Sequence, residues 1–190
     1  MVRFYTYLEL YLDDLRKLVS LSELEKHFKT PHQTIKSHLK DLVKGKILSE
    51  EKRARFRFYK LNLQNPLITD YLSLCEKERT FAFLNKNALF SRLHSTIAPH
   101  LKESNVLLFG SAVVSKEYKD IDLLILSKDN KLIEELKKFE KTYSVKLHII
   151  KTSESDLTET LITEIKKKHI IFSNHDYFVK VIYKNELGMV

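Results

Sequence analysis

Residues 106–126 hold two short, wholly apolar runs with a sharp polar interruption between them, and few folds accommodate that. Val106-Leu107-Leu108-Phe109 ends at Gly110-Ser111, and nine residues after the serine comes Asp120-Ile121-Asp122, followed at once by Leu123-Leu124-Ile125-Leu126. A short unbroken apolar run predicts a strand covered on both faces. The order is therefore strand, Gly-Ser turn, short helix, second strand. Side chains along a strand alternate, so Asp120 and Asp122 point to the same side. Together they can bind one Mg²⁺ or bridge a pair, because hard cations take oxygen ligands and also bind substrate phosphates. Gly110 lets the backbone come close to a phosphate. The Ser111 hydroxyl and the free N–H groups at the following helix start can hold a triphosphate.

Phe109-Gly110-Ser111, then Asp120-Ile121-Asp122-Leu123-Leu124, resembles the signature of the DNA polymerase β-like nucleotidyltransferase superfamily. Within it, the minimal nucleotidyltransferases of archaea and bacteria are the most similar form, over roughly residues 86–183. The resemblance implies that Gly110 and Ser111 bind the phosphates of an NTP, ATP by preference. It implies that Asp120 and Asp122 bind Mg²⁺ or Mn²⁺, and that a nucleoside monophosphate passes to a hydroxyl acceptor. Small members of the family pair with HEPN-type toxins, and some act as antitoxins by adenylylating them. Such a toxin is a candidate partner through the resemblance alone. The connection 112–119 is shorter than in many members and lacks their usual glycine. Active members also carry a third carboxylate on the next strand. Here that strand is expected over 144–150, after a helix over 131–141. Its outward residues are Lys146 and His148, with no acid between them. His148 is the candidate substitute as base or metal ligand, since imidazole binds metals and titrates near neutrality. A chain that binds nucleotide or protein without turnover is the alternative.

The net charge of +8 is uneven: residues 29–60 carry ten Lys or Arg against three Asp or Glu, or +7. Clustering of that kind is the electrostatic footprint of a nucleic-acid contact. Apolar residues at Leu8, Tyr11, Leu12, Leu15, Leu18 and Val19 predict a first helix. Ser22 with Glu25 predicts a capping box for a second. Thr30 as N-cap and Pro31 at the first position open a third over 31–44, which stops at Gly45. Its outward face carries His32, Gln33, Lys36, Ser37 and Lys40. The period then falls to two, giving strands over 47–51 and 55–61 with 52–54 as the tip. Three helices and a basic hairpin resemble the winged helix-turn-helix of archaeal and bacterial regulators. That resemblance implies duplex DNA binding. Gln33, Lys36, Ser37 and Lys40 can face the major groove. Arg53, Arg55 and Arg57 can reach flanking phosphates or the minor groove. Protein binding or dimerisation is the competing use of such a domain.

The expected architecture is α+β: a winged helix-turn-helix over 1–62, a bridging or dimer-forming helix over 63–85, and a small nucleotidyltransferase domain over 86–190 with a mixed sheet flanked by helices. A helix over 86–102 should become irregular at Pro99. The tail suggests a helix over 154–168 and then Ile170-Ile171-Phe172. His169, His175 and Asp176 read as ordinary surface or packing residues. The lone Cys75 cannot form an internal disulfide and sits in an apolar stretch, which suits a small core residue. No membrane-spanning run and no signal-peptide pattern occurs, so a cytoplasmic location is expected.

Overall fold

The computed structural model describes residues 4–54, 56–127 and 129–188. The protein is mixed α and β, with two small sheets. It divides into two compact units, Met1–Cys75 with Tyr183–Val190, and Glu76–Ile182. The boundary therefore falls within a helix, and the C-terminal residues belong with the first unit. Among the described residues no helix is long and apolar enough to cross a membrane.

The first unit begins with a 3₁₀ helix, Phe4–Tyr11, followed by strand β1, Val19–Ser20. The apolar spacing that predicts one longer helix is satisfied otherwise. Leu8, Tyr11, Leu12, Leu15 and Val19 are all buried, but the chain turns between Leu12 and Val19. Helix α1 spans Leu21–Phe28 and α2 spans His32–Lys44. The capping box of α1 uses Ser20 and Glu23 rather than Ser22 and Glu25. Ser20 Oγ accepts the Glu23 N–H at 3.2 Å and Glu23 Oε2 accepts the Ser20 N–H at 2.7 Å. Both pairs fit the motif; the strand ending at Ser20 decides between them. Pro31 itself is the N-cap of α2, and the Thr30 hydroxyl donates to the Phe28 carbonyl instead. Strands β2, Leu48–Arg53, and β3, Phe56–Leu61, pair antiparallel, and β1 adds to β3 to give the order β1-β3-β2. The Tyr11 hydroxyl donates to the Tyr59 carbonyl at 2.9 Å, and Tyr183 donates to the Leu12 carbonyl at 2.6 Å. The last stretch of chain is thus tied into the first unit by a buried tyrosine.

Helix α3, Ile68–Lys86, runs from the first unit into the second. In the second unit α4 spans Ala88–Ile97, and a 3₁₀ turn, Ala98–His100, follows it at Pro99. Strand β4, Asn105–Phe109, and strand β5, Ile121–Leu126, are antiparallel neighbours. Helix α5, Asn130–Tyr143, carries the chain to β6, Leu147–Lys151, which lies parallel to β5. A 3₁₀ turn, Glu154–Asp156, and α6, Glu159–Lys167, replace the single predicted tail helix. Strand β7, His169–Ile171, then pairs antiparallel with β4, so the sheet order is β6-β5-β4-β7. Helix α7 spans His175–Ile182. One sheet face, with Val106, Leu108, Ile121, Leu123, Ile125 and Ile170, packs against Phe90, Leu93 and Ile97 of α4 and Leu132, Leu136 and Phe139 of α5.

The other face carries a buried polar network. Glu76 on α3 and His169 on β7 are both wholly buried. Glu76 Oε1 accepts from His169 Nε2 at 2.9 Å, and Oε2 faces Arg79 Nε at 3.4 Å. The Thr80 hydroxyl reaches the Glu76 and Ile171 carbonyls and His175 Nε2, at 3.0, 2.8 and 3.2 Å. Burial pushes the Glu76 carboxyl up, but the charges of Arg79 and His169 outweigh it and bring it down to about 2. Burial lowers His175 to about 4.

These two groups should make the second unit acid-labile. The unfolded state takes up a proton on His175 below its ordinary value of 6.5, whereas the folded state does so only near 4, so stability falls across that interval. Glu76 adds a further loss as pH falls from 4.5 towards 2. Urea midpoints followed by circular dichroism should therefore decline below neutrality. His175→Gln should flatten the upper step, and an unchanged slope in that variant would remove His175 from the account.

Candidate functional site

Four residues form one row across the second sheet. The registers pair His148 with Asp122, Asp122 with Phe109, and Phe109 with His169. Directly opposed residues share a face, so these side chains line up on β6, β5, β4 and β7. His148 Nδ1 donates to Asp122 Oδ1 at 2.9 Å, with 59% of the histidine side chain and 19% of the aspartate side chain exposed. The open end of the row is therefore His148, and the closed end is His169. The strand of His148 begins later than expected, because α5 runs on through Tyr143 and is capped by Ser144 in a left-handed conformation. The alternation nevertheless brings His148 beside Asp122. Lys146, exposed, accepts the Ile121 N–H through its carbonyl at 2.9 Å.

The turn after β4 lies against this row. Gly110 has φ +79° and ψ −155°, and a Cβ there would lie 2.3 Å from Asp122 Oδ2 and 3.2 Å from its Cγ. Glycine is thus required twice, by its torsion angle and by the space. Ser111 is exposed and opens the 3₁₀ turn Ser111–Val113, a single turn where a short helix is expected. Asp120 is half-buried just before β5, one alternation from Asp122. Two carboxylates with this spacing beside a side-chain-free turn suit a divalent cation carried by a phosphate. Among the described residues no three His, Cys, Asp or Glu side chains converge as a ready-made metal site. A cation held by Asp120 and Asp122 would complete its shell with oxygens from elsewhere.

The first unit brings together a second group of predicted residues. Gln33, Lys36, Ser37 and Lys40 are all exposed along α2, while Ile35, Leu39 and Leu42 face inward. A cleft of about 260 Å³ between α2 and the β2–β3 hairpin is lined by Lys36, Lys40, Val43, Glu50, Arg57 and Tyr59. Two of the hairpin cations are already engaged. Arg57 pairs with Glu50 across the strands, and Arg53 Nε donates to Glu51 Oε1 at 2.7 Å. The Arg53 hydrogen bond holds the Glu51 carboxyl below its ordinary range. Arg55 lies outside the described residues.

Sequence reading missed the Glu76–His169 pair. The partners are 93 positions apart and meet only because α3 lies against β7. The one signal is the spacing Glu76–Arg79, a carboxylate and a guanidinium three positions apart on the same side of a helix. Comparison with protein families and with curated proteins gives no match for this chain.

Gly110→Ala should cost roughly 1–3 kcal/mol through its positive φ alone. It should also drive Asp122 away from His148. Adding Asp122→Ala removes the clash but not the torsional strain, so the double variant should be more stable than the sum of the two single effects. Urea denaturation of the four proteins measures that coupling, and strict additivity would show that Gly110 and Asp122 do not compete for space.

Proposed function

We propose that the second unit is a nucleotidyltransferase-type domain and the first a DNA-binding winged helix. The observation that carries the reading is the fit of Gly110 against Asp122 between two antiparallel apolar strands, with a parallel third strand beside them. Gly110 and Ser111 receive the phosphates of an NTP, and Asp120 and Asp122 hold the accompanying cation. That cation, Mg²⁺ or Mn²⁺, supplies charge neutralisation at the phosphates. His148 stands where a third carboxylate is expected and is oriented by Asp122. In this reading its Nε2, on the other side of a ring that is 59% exposed, meets the acceptor hydroxyl. The substitution of histidine for acid also supports a second reading, a DNA-binding regulator that binds Mg-NTP without turnover.

Incubation with each of four α-labelled NTPs separates the two. Label transfer that is lost in Asp120→Ala and Asp122→Ala supports the enzyme. Mn²⁺ should sustain it better than Mg²⁺, because Mn²⁺ accepts imidazole more readily. His148→Ala should remove transfer and leave Mg-ATP binding in place. Binding without transfer under every condition favours the regulator. Mg-ATP affinity unchanged in the Asp120→Ala/Asp122→Ala protein would overturn the site.

Duplex DNA should bind the full chain with a steep salt dependence, log affinity falling with log salt by roughly 0.9 per phosphate contact. Lys36→Ala and Lys40→Ala should flatten that slope. Glu50→Gln should strengthen binding by releasing Arg57 to a phosphate. A salt-independent interaction would turn the assignment towards a protein partner.

A further inference from the structure

We propose that Glu76, His169 and Arg79 are positioning residues that fix the Gly110-Ser111 turn from behind, through the peptide joining Lys168 to His169. The functional consequence rests on the nucleotide-binding reading above; the mechanical part does not.

The His169 ring has no freedom. Its Nδ1 lies 2.7 Å from the Ile165 carbonyl and its Nε2 lies 2.9 Å from Glu76 Oε1. A carbonyl only accepts, so Nδ1 carries a proton. Glu76 is also paired with the Arg79 guanidinium, which favours its ionised form, and Nε2 then carries a proton as well. The ring is held at both nitrogens, and Arg79 also donates to the His169 backbone carbonyl. His169 is thereby fixed at its side chain and on the main chain.

The peptide preceding it is planar, so fixing His169 constrains the Lys168 carbonyl. That carbonyl accepts the Gly110 N–H at 3.2 Å. Phe109, the residue before Gly110, is paired with His169 in the sheet. Gly110 has no side chain to anchor it, and its conformation is one that other residues rarely adopt. Its placement is therefore imposed by its neighbours. Asp122 limits it on one side and Lys168 holds its N–H. A buried ion pair is a poor source of net stability, since a well-packed apolar pair often does as well. What a charged pair adds is direction, which a phosphate-binding turn requires.

The test separates position from stability. In the full chain, Glu76→Leu with His169→Leu replaces the pair by apolar side chains. Hydrogen exchange should leave the β5 amides as protected as in the unmodified protein, while the Gly110 amide exchanges at least on the order of tenfold faster. Mg-ATP affinity should fall by a similar factor. Glu76→Gln keeps the shape and removes the charge, and it carries the same comparison if the double variant does not fold. Gly110 protection that stays level with β5 in the folded variant overturns the proposal. Faster Gly110 exchange in a protein that never binds Mg-ATP, with or without the substitutions, upholds the positioning role and overturns the nucleotide reading instead.

Discussion

At Gly110 a backbone turn and the Asp122 carboxylate occupy almost the same space. That close approach organises the second unit. It demands a glycine at the end of β4 and a β5 that starts with its polar residues and continues apolar. It also demands a β4–β5 register that opposes Phe109 to Asp122. The apolar runs on either side follow. Ile121, Leu123 and Ile125 fill one sheet face against α4 and α5, which leaves Asp122 on the other. Helix α5 returns the chain parallel to β5, and this places a β6 residue beside the aspartate. That residue is His148.

Within the first unit the charges of α2 and of the β2–β3 hairpin are arranged on different principles. Among the described residues Lys36 and Lys40 of α2 form no ion pair, while in the β2–β3 hairpin Arg53 and Arg57 face Glu51 and Glu50. Exposed pairs of this kind contribute little to stability. Their effect is on what the surface offers a polyanion. A phosphate approaching Arg53 or Arg57 must displace a carboxylate, whereas one approaching Lys36 or Lys40 need not. The +7 over residues 29–60 already subtracts Glu50 and Glu51, so the pairing changes where that charge is open to a polyanion and not its sum.

Much of this was legible in the sequence because it depends on local order. The Gly-Ser turn, the Asp-x-Asp spacing, the two apolar strands and the outward face of α2 each follow from neighbours within a few residues. The strand of His148 was legible too, although its start was not. Periodicity reports burial and not conformation, so Leu15 and Val19 could be read as helical when they lie in a turn and a strand. The choice between Ser20 and Ser22 as cap depended on the pairing of Val19 with Tyr59, which is a tertiary contact. The Glu76–His169 pair was illegible for the same reason. Nothing near either residue announces the other, and a histidine beside a lysine-rich helix end reads as a surface or packing residue, with no choice between the two until β7 is seen to lie next to β4.

The row His148–Asp122–Phe109–His169 joins these observations. It runs from an exposed imidazole to a buried one, with a carboxylate beside each: Asp122 for His148, Glu76 for His169. The two pairs have similar lengths, 2.9 Å in each case. Their surroundings separate their roles. At the buried end both ring nitrogens are occupied and no solvent enters, so the pair can hold a shape but cannot exchange a ligand. At the open end Asp122 holds Nδ1, and 59% of the His148 side chain stays exposed. A sheet that fixes one end of a row rigidly can present the other end at a defined position, because the Phe109 ring between them is itself 95% buried and close-packed interiors transmit displacement rather than absorb it. On the proposed reading the buried carboxylate serves the geometry of the exposed one, and a nucleotide would meet the row at the end that water can reach.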